Sequence, residues 1–156
     1  MISHTTLILH WALWASVMCA AILDMRWRLI PNWLTLGIAL GAPLFWIASG
    51  LSPWPDIVVQ ITLGFGCFVL FALAFAAGVF GGGDVKLIAA LALWFPPHHL
   101  AQFLVLMGLL GGGVGLVYWV LHKVGRSHKP LEIPYGVAIA AATHLMLWEP
   151  NINPFG

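Results

Sequence analysis

The sequence predicts an all-α, polytopic membrane protein: a single domain over residues 1–156, folded as a bundle of about six transmembrane helices with its N-terminus outside. Three observations carry this. The chain is 62% hydrophobic and 7% charged, with a mean hydropathy of +0.98, too apolar for a water-soluble core of this size, so lipid is its solvent. Its apolar residues gather into runs near the roughly 20 residues that a crossing helix needs. Its few cations recur beside alternate runs.

The first run, Leu7 to Leu23, has no Lys or Arg ahead of it and no small-residue cleavage site before Asp24-Met25-Arg26, so it reads as a retained span and not a signal peptide. The second covers Trp33 to Ala48 and contains Pro43, expected to disturb the helix locally. The third covers Ile57 to Phe80. The fourth, Val85 to Phe95, is short. At ~1.5 Å per residue it covers about half of a bilayer core, and is expected to tilt, borrow flanking residues or re-enter. The fifth runs from Ala101 to Leu121 and the sixth from Ile133 to Trp148, with Pro134 at its start.

With the N-terminus outside, the loops after helices one, three and five face the cytoplasm, and every Lys and Arg falls there: Arg26 and Arg28, then Lys86, then Lys123, Arg126 and Lys129. The loop His122 to Lys129 reads as a surface that meets anionic lipid. Tryptophans are expected in two aromatic belts, Trp27, Trp33 and Trp119 inside and Trp46, Trp54, Trp94 and Trp148 outside. Glycines four apart, Gly37 with Gly41, Gly108 with Gly112 and Gly111 with Gly115, predict close helix packing. Cys19 and Cys67 lie in apolar runs and read as packing residues. A net charge of +1 without a basic patch argues against nucleic acid as a partner.

Acids are informative in a chain with only five: Asp24, Asp56, Asp84, Glu132 and Glu149. Asp56 and Glu149 fall outside as solvated loop charges. Asp24 ends the first helix and Asp84 ends the glycine turn after the third, so both reach the same boundary. In Phe80-Gly81-Gly82-Gly83-Asp84-Val85-Lys86 the glycines, Gly81 and Gly83 among them, remove bulk so that a substrate backbone can come close. Taken alone, Asp84 reads as a helix N-cap. Paired with Asp24 it reads differently, because two adjoining carboxylates cannot both ionise cheaply. One keeps a proton while the other polarises a water, the chemistry of an aspartic peptidase. That titration belongs to the pair and assigns neither acid a fixed role. Zinc-type and serine-type motifs are absent, and the neighbouring His98 and His99 point to different faces, so no metal and no cofactor are expected.

These residues resemble the prepilin peptidase family, in particular its short members associated with tight-adherence (Flp) pili. The likeness rests on Asp24 with the basic stretch through Arg28 to Ile30-Pro31-Asn32, on Gly81-Gly82-Gly83-Asp84 as a Gly-x-Gly-Asp motif followed by Val85-Lys86-Leu87, and on Pro134-Tyr135-Gly136-Val137 opening the last helix. The resemblance implies that Asp24 and Asp84 are catalytic. It further implies that a type IV pilin or pseudopilin precursor is the substrate, cut after its short basic leader at the cytoplasmic face of a bacterial inner membrane. Larger members carry paired Cys-x-x-Cys motifs in an N-terminal domain. These are not found in this sequence, so zinc binding and N-methylation of the product are not expected.

Several supporting residues keep two readings. Lys86 either biases Asp84 and holds a substrate carbonyl or anchors the membrane. Arg26 and Arg28 are site residues or headgroup anchors, Asn32 a site residue or a cap for helix two, and Tyr135 a site hydroxyl or an interfacial tyrosine. Two other functions compete with the peptidase. One is an ion- or proton-coupled carrier using Asp24 and Asp84, since acids in membrane helices often line ion routes. The other is a non-catalytic pilus-assembly subunit. The oligomeric state is not legible.

Overall fold

The computed structural model describes residues 4–124 and 135–148; Arg126, Lys129, Glu132, Pro134 and Glu149 lie outside the described residues. The chain forms α1 (His4–Trp27), α2 (Asn32–Ala48), a short π-helical turn (Pro53–Ile57) leading into α3 (Val58–Ala76), α4 (Gly82–Ala92), α5 (Pro97–Val124) and α6 (Tyr135–Trp148). No strand occurs among the described residues. The all-α membrane bundle expected from composition is the fold observed.

The six helices are unequal. Three stretches are long and apolar enough to cross a bilayer, His4–Trp27, Pro53–Ala76 and Pro97–Val117. The other three helices have 17, 11 and 14 residues. The shortest, α4, is enclosed: α2 and α3 pack along it, and α6 touches it. Val85, Leu87, Ile88, Ala90, Leu91 and Ala92 are all buried. A helix too short for the bilayer is tolerated where protein, not lipid, meets its ends.

Helix ends follow local chemistry more closely than the apolar runs do. The third run continues apolar to Phe80, yet α3 stops at Ala76, because Gly78 takes φ +76° and the chain closes with Gly78 N–H to Phe75 O at 2.9 Å and Val79 N–H to Ala74 O at 2.9 Å. This is a Schellman stop, in which a left-handed glycine lets two late amides satisfy the last carbonyls. Gly50, at φ +73°, ends α2 the same way. The helix expected over Val85 to Phe95 instead runs from Gly82 to Ala92, taking two of the three glycines into its first turn.

At the end of α4 away from Asp84, aromatic side chains form a plug. Phe45 stacks on Trp94 at 5.1 Å between ring centroids, and Phe95 on Phe103 at 5.3 Å. Trp46 donates its indole N–H to Leu93 O at 2.8 Å and Trp94 donates to Ile38 O at 2.9 Å. Both rings are buried, which corrects their placement in an outer belt: each indole found a carbonyl acceptor within the bundle, so neither needs water or headgroups. Trp27, Trp33, Trp54 and Trp119 are exposed, as a belt requires, and Lys123 Nζ sits 4.1 Å over the Trp119 ring.

The glycine pairs also act differently from expectation. Gly41 and Gly111 are pressed against the Trp94 and Tyr135 side chains, whereas Gly37, Gly108 and Gly112 face open space. In two of the three pairs one glycine, Gly41 or Gly111, seats an aromatic ring, so the close approach there is side chain to backbone, and the pair of Gly108 with Gly112 makes no such contact.

Candidate active site

Asp24 stands one turn before the end of α1 and is buried. Its Oδ2 accepts the main-chain N–H of Gly136 at 2.9 Å. That amide belongs to the first turn of α6, where N–H groups have no acceptor in their own helix, so a side chain of α1 caps α6 from outside. Only glycine fits there: a Cβ at residue 136 would lie 2.8 Å from Oδ2 and 3.0 Å from Asp24 Cβ. Just beyond Asp24, α1 ends with Arg28 N–H bonded to Asp24 O at 2.9 Å and Arg28 itself at φ +53°. This left-handed residue turns the chain, and its guanidinium acts electrostatically on Asp24.

Asp84 reaches the same place from α4. The helix is capped by Gly81, in extended conformation, which puts Asp84 at the third helical position and not at the cap. From there its carboxylate reaches back toward the Gly81 amide, the returning half of a capping box. A side chain on Gly81 would press on Asp84 Oδ2 at 2.9 Å, and one on Gly83 would meet Ile30 Cβ at 3.0 Å. The glycines thus leave room for Asp84 and for the Ile30 turn, while Gly82 makes only ordinary contact with Phe75.

Oδ1 of Asp84 is buried and meets no protein donor. Asp84 lies outside the three long spans. Burial first, and the charge of Asp24 second, push its carboxyl up to about 7 from the ordinary carboxylate range, against the opposing Gly81 amide. The charge of Asp24 thus reaches Asp84 across the space between α1 and α4.

Tyr135 completes the cluster. Its ring packs edge-on against Phe80, with centroids 4.7 Å apart, sits against Gly111 of α5, and lies within electrostatic reach of Asp84. Lys86 and Asn32 go elsewhere. Lys86 Nζ donates to Asn32 Oδ1 at 2.8 Å, at the mouth of an apolar groove of about 560 Å³ between α2, α3 and α4. Asn32 is the first residue of α2, and Pro31 holds the cap position with no side-chain bond, so the capping reading of Asn32 is replaced by a bond to Lys86. Gly136 and Gly111 escaped the sequence reading as site residues; the signal for Gly136 was its place directly after Tyr135 in the helix-opening motif.

Residues 11–116 match the type IV leader peptidase family, a stretch that holds both acids and the glycine turn. The chain belongs to this family. Among type IV leader peptidase relatives, it is 32% identical to a prepilin leader peptidase/N-methyltransferase of Aeromonas salmonicida (strain A449), over 94% of this chain and 50% of the relative. It is 30% identical to a protein of the same name from Bacillus subtilis (strain 168), over 80% of this chain and 49% of the relative. A third, from Dickeya chrysanthemi, is 29% identical over 81% of this chain and 46% of the relative. The chain spans about half the length of these curated relatives. No solved structure matches it.

Proposed function

We propose that this type IV leader peptidase family member is a membrane-embedded aspartic endopeptidase. On this reading it removes the leader from a type IV pilin or pseudopilin precursor, with Asp24 and Asp84 as the catalytic acids. One observation carries the reading: two acids 60 positions apart in the chain are buried at one end of the bundle, close enough for the charge of one to act on the other. In hydrolysis one carboxylate takes a proton from water as the water oxygen bonds to the scissile carbonyl carbon, and the other acid gives its proton to the carbonyl oxygen. The tetrahedral species then collapses: one hydroxyl returns its proton to the acid that donated, the C–N bond breaks and the departing nitrogen takes the proton that the base removed from water, which restores the pair.

The cations support a cytoplasmic site and an outside N-terminus. Arg26 and Arg28 close α1, Lys86 lies in the first turns of α4 and Lys123 in the last turn of α5, all at the acidic end. A carrier needs a route that continues to the far side. Among the described residues the only other acid is Asp56, exposed in the π-helical turn before α3 and engaged by Ser52.

Co-expression with a pilin precursor tests the proposal through the mobility of the product. Asp24→Asn and Asp84→Asn are each expected to reduce cleavage by at least about 100-fold while the protein stays in the membrane. Processing at the wild-type rate by either variant removes that acid from the mechanism.

A further inference from the structure

The two acids are buried alike, yet their hydrogen-bond surroundings differ. Asp24 Oδ2 faces a donor that cannot turn away, the Gly136 amide fixed in the first turn of α6. Asp84 Oδ1 is buried without a protein donor. A proton placed on Asp24 Oδ2 would set a hydroxyl against an N–H and lose the bond, whereas a proton on Asp84 Oδ1 displaces nothing. The other charged and titratable groups around the pair act in the same sense or stand aside. Arg28 faces Asp24. Tyr135, from α6, lies within electrostatic reach of Asp84, and Lys86 is turned to Asn32.

We propose that Gly136, seated through Tyr135 on Gly111 of α5, is a positioning residue that fixes the roles within the pair: its amide keeps Asp24 the base and leaves the resting proton on Asp84 as the acid. This deepens the hydrolytic reading above and rests on it. In the first step, water gives its proton to Asp24 and its oxygen to the carbonyl carbon, while the Asp84 proton passes to the carbonyl oxygen. The seat is specific in shape. A Cβ on Gly136 would strike Asp24 Oδ2, and one on Gly111 would overlap the Tyr135 ring, so α6 comes close enough to donate only because both positions lack a side chain. The upward push on Asp84 to about 7 agrees with a proton resting there.

The proton can be located without any substrate, by infrared difference titration of the carboxyl C=O stretch on the full chain in nanodiscs. Wild-type protein is expected to show a protonated carboxyl that persists to about pH 7. Asp84→Asn abolishes that band, and Asp24→Asn retains it with a lowered midpoint because the like charge has gone. A band lost with Asp24→Asn and kept with Asp84→Asn overturns the assignment, as does a band that survives both or is lost in both.

Gly136→Ala separates positioning from mere capping of α6. It is expected to move the titration of the pair by at least about one pH unit, and an unmoved titration in a folded protein leaves the amide a structural cap only. Should Gly136→Ala not fold, Gly111→Ala presses on Tyr135 from the far side without touching Asp24, and the same criterion applies. Because no precursor is present, these spectra stand or fall separately from the cleavage assay.

Discussion

The two ends of α4 differ in charge: each buries an oxygen without a partner, but the one beside Leu93 is the neutral Gln60 Oε1, whereas the one at the other end belongs to an acid. At the aromatic end each buried indole has its acceptor, Trp46 on Leu93 O and Trp94 on Ile38 O, and stacked rings fill the space between helices. At the acidic end an Asp84 oxygen is buried without a partner, two like charges adjoin, and Arg28 holds a left-handed backbone. One end is arranged for stability. The other stores unfavourable terms that the rest of the bundle must hold in place, which is the pattern expected of a reactive site.

The largest effect that sharpens this contrast belongs to the aromatic end. Trp94→Ala removes a ring that stacks on Phe45, fills the face of Gly41 and occupies Ile38 O. It is expected to destabilise the protein by about 3 kcal/mol, read as a lower unfolding midpoint in detergent. Cleavage per folded molecule should change little, since the ring lies at the far end of α4 from Asp84. A large loss of turnover in protein shown to be folded would mean that the two ends are not separable.

The acidic end should show itself in how stability depends on pH. Asp84 is raised from 3.8 to about 7, so between these values the folded protein binds a proton that the unfolded chain has released. Its contribution is fully present below the unfolded value and is lost as pH rises through about 7. Unfolding midpoints are therefore expected to fall between pH 5 and pH 8, and Asp84→Asn to flatten that slope. Equal slopes in the two proteins would break the claim that this end carries the strain.

How much of this contrast was legible in the sequence depended on what each residue needs. The helices were visible because apolar runs report lipid, and the acids because the chain has only five and two of them fall at the same boundary. The ends of α3 and α4 were misread by several residues, since Gly78 acts through a left-handed turn and Gly82 and Gly83 enter a helix that their propensity disfavours. Trp46 and Trp94 were misplaced for another reason. An indole suits an interface or a buried carbonyl equally, and only the packing of α2 against α4 supplies the carbonyl. Gly136 contributes a main-chain amide, so its residue type reports only the lack of room for a side chain beside Asp24 and not the bond itself.

The smallest effect isolates the backbone strain. Arg28 combines a charge facing Asp24 with φ +53°, a conformation that costs an L-residue roughly 1–2 kcal/mol. Arg28→Gly and Arg28→Ala both remove the charge, but only glycine relieves the backbone, at the cost of about 0.5–1 kcal/mol in unfolded-chain entropy. The glycine variant is thus expected to unfold at or slightly above the wild-type midpoint, and the alanine variant about 1 kcal/mol below the glycine one. Since the guanidinium is gone from both, any shared loss of cleavage reports its action on Asp24. Identical stabilities for the two variants would show that the turn after α1 is relaxed, and would leave the buried acids as the sole source of the unfavourable energy at that end.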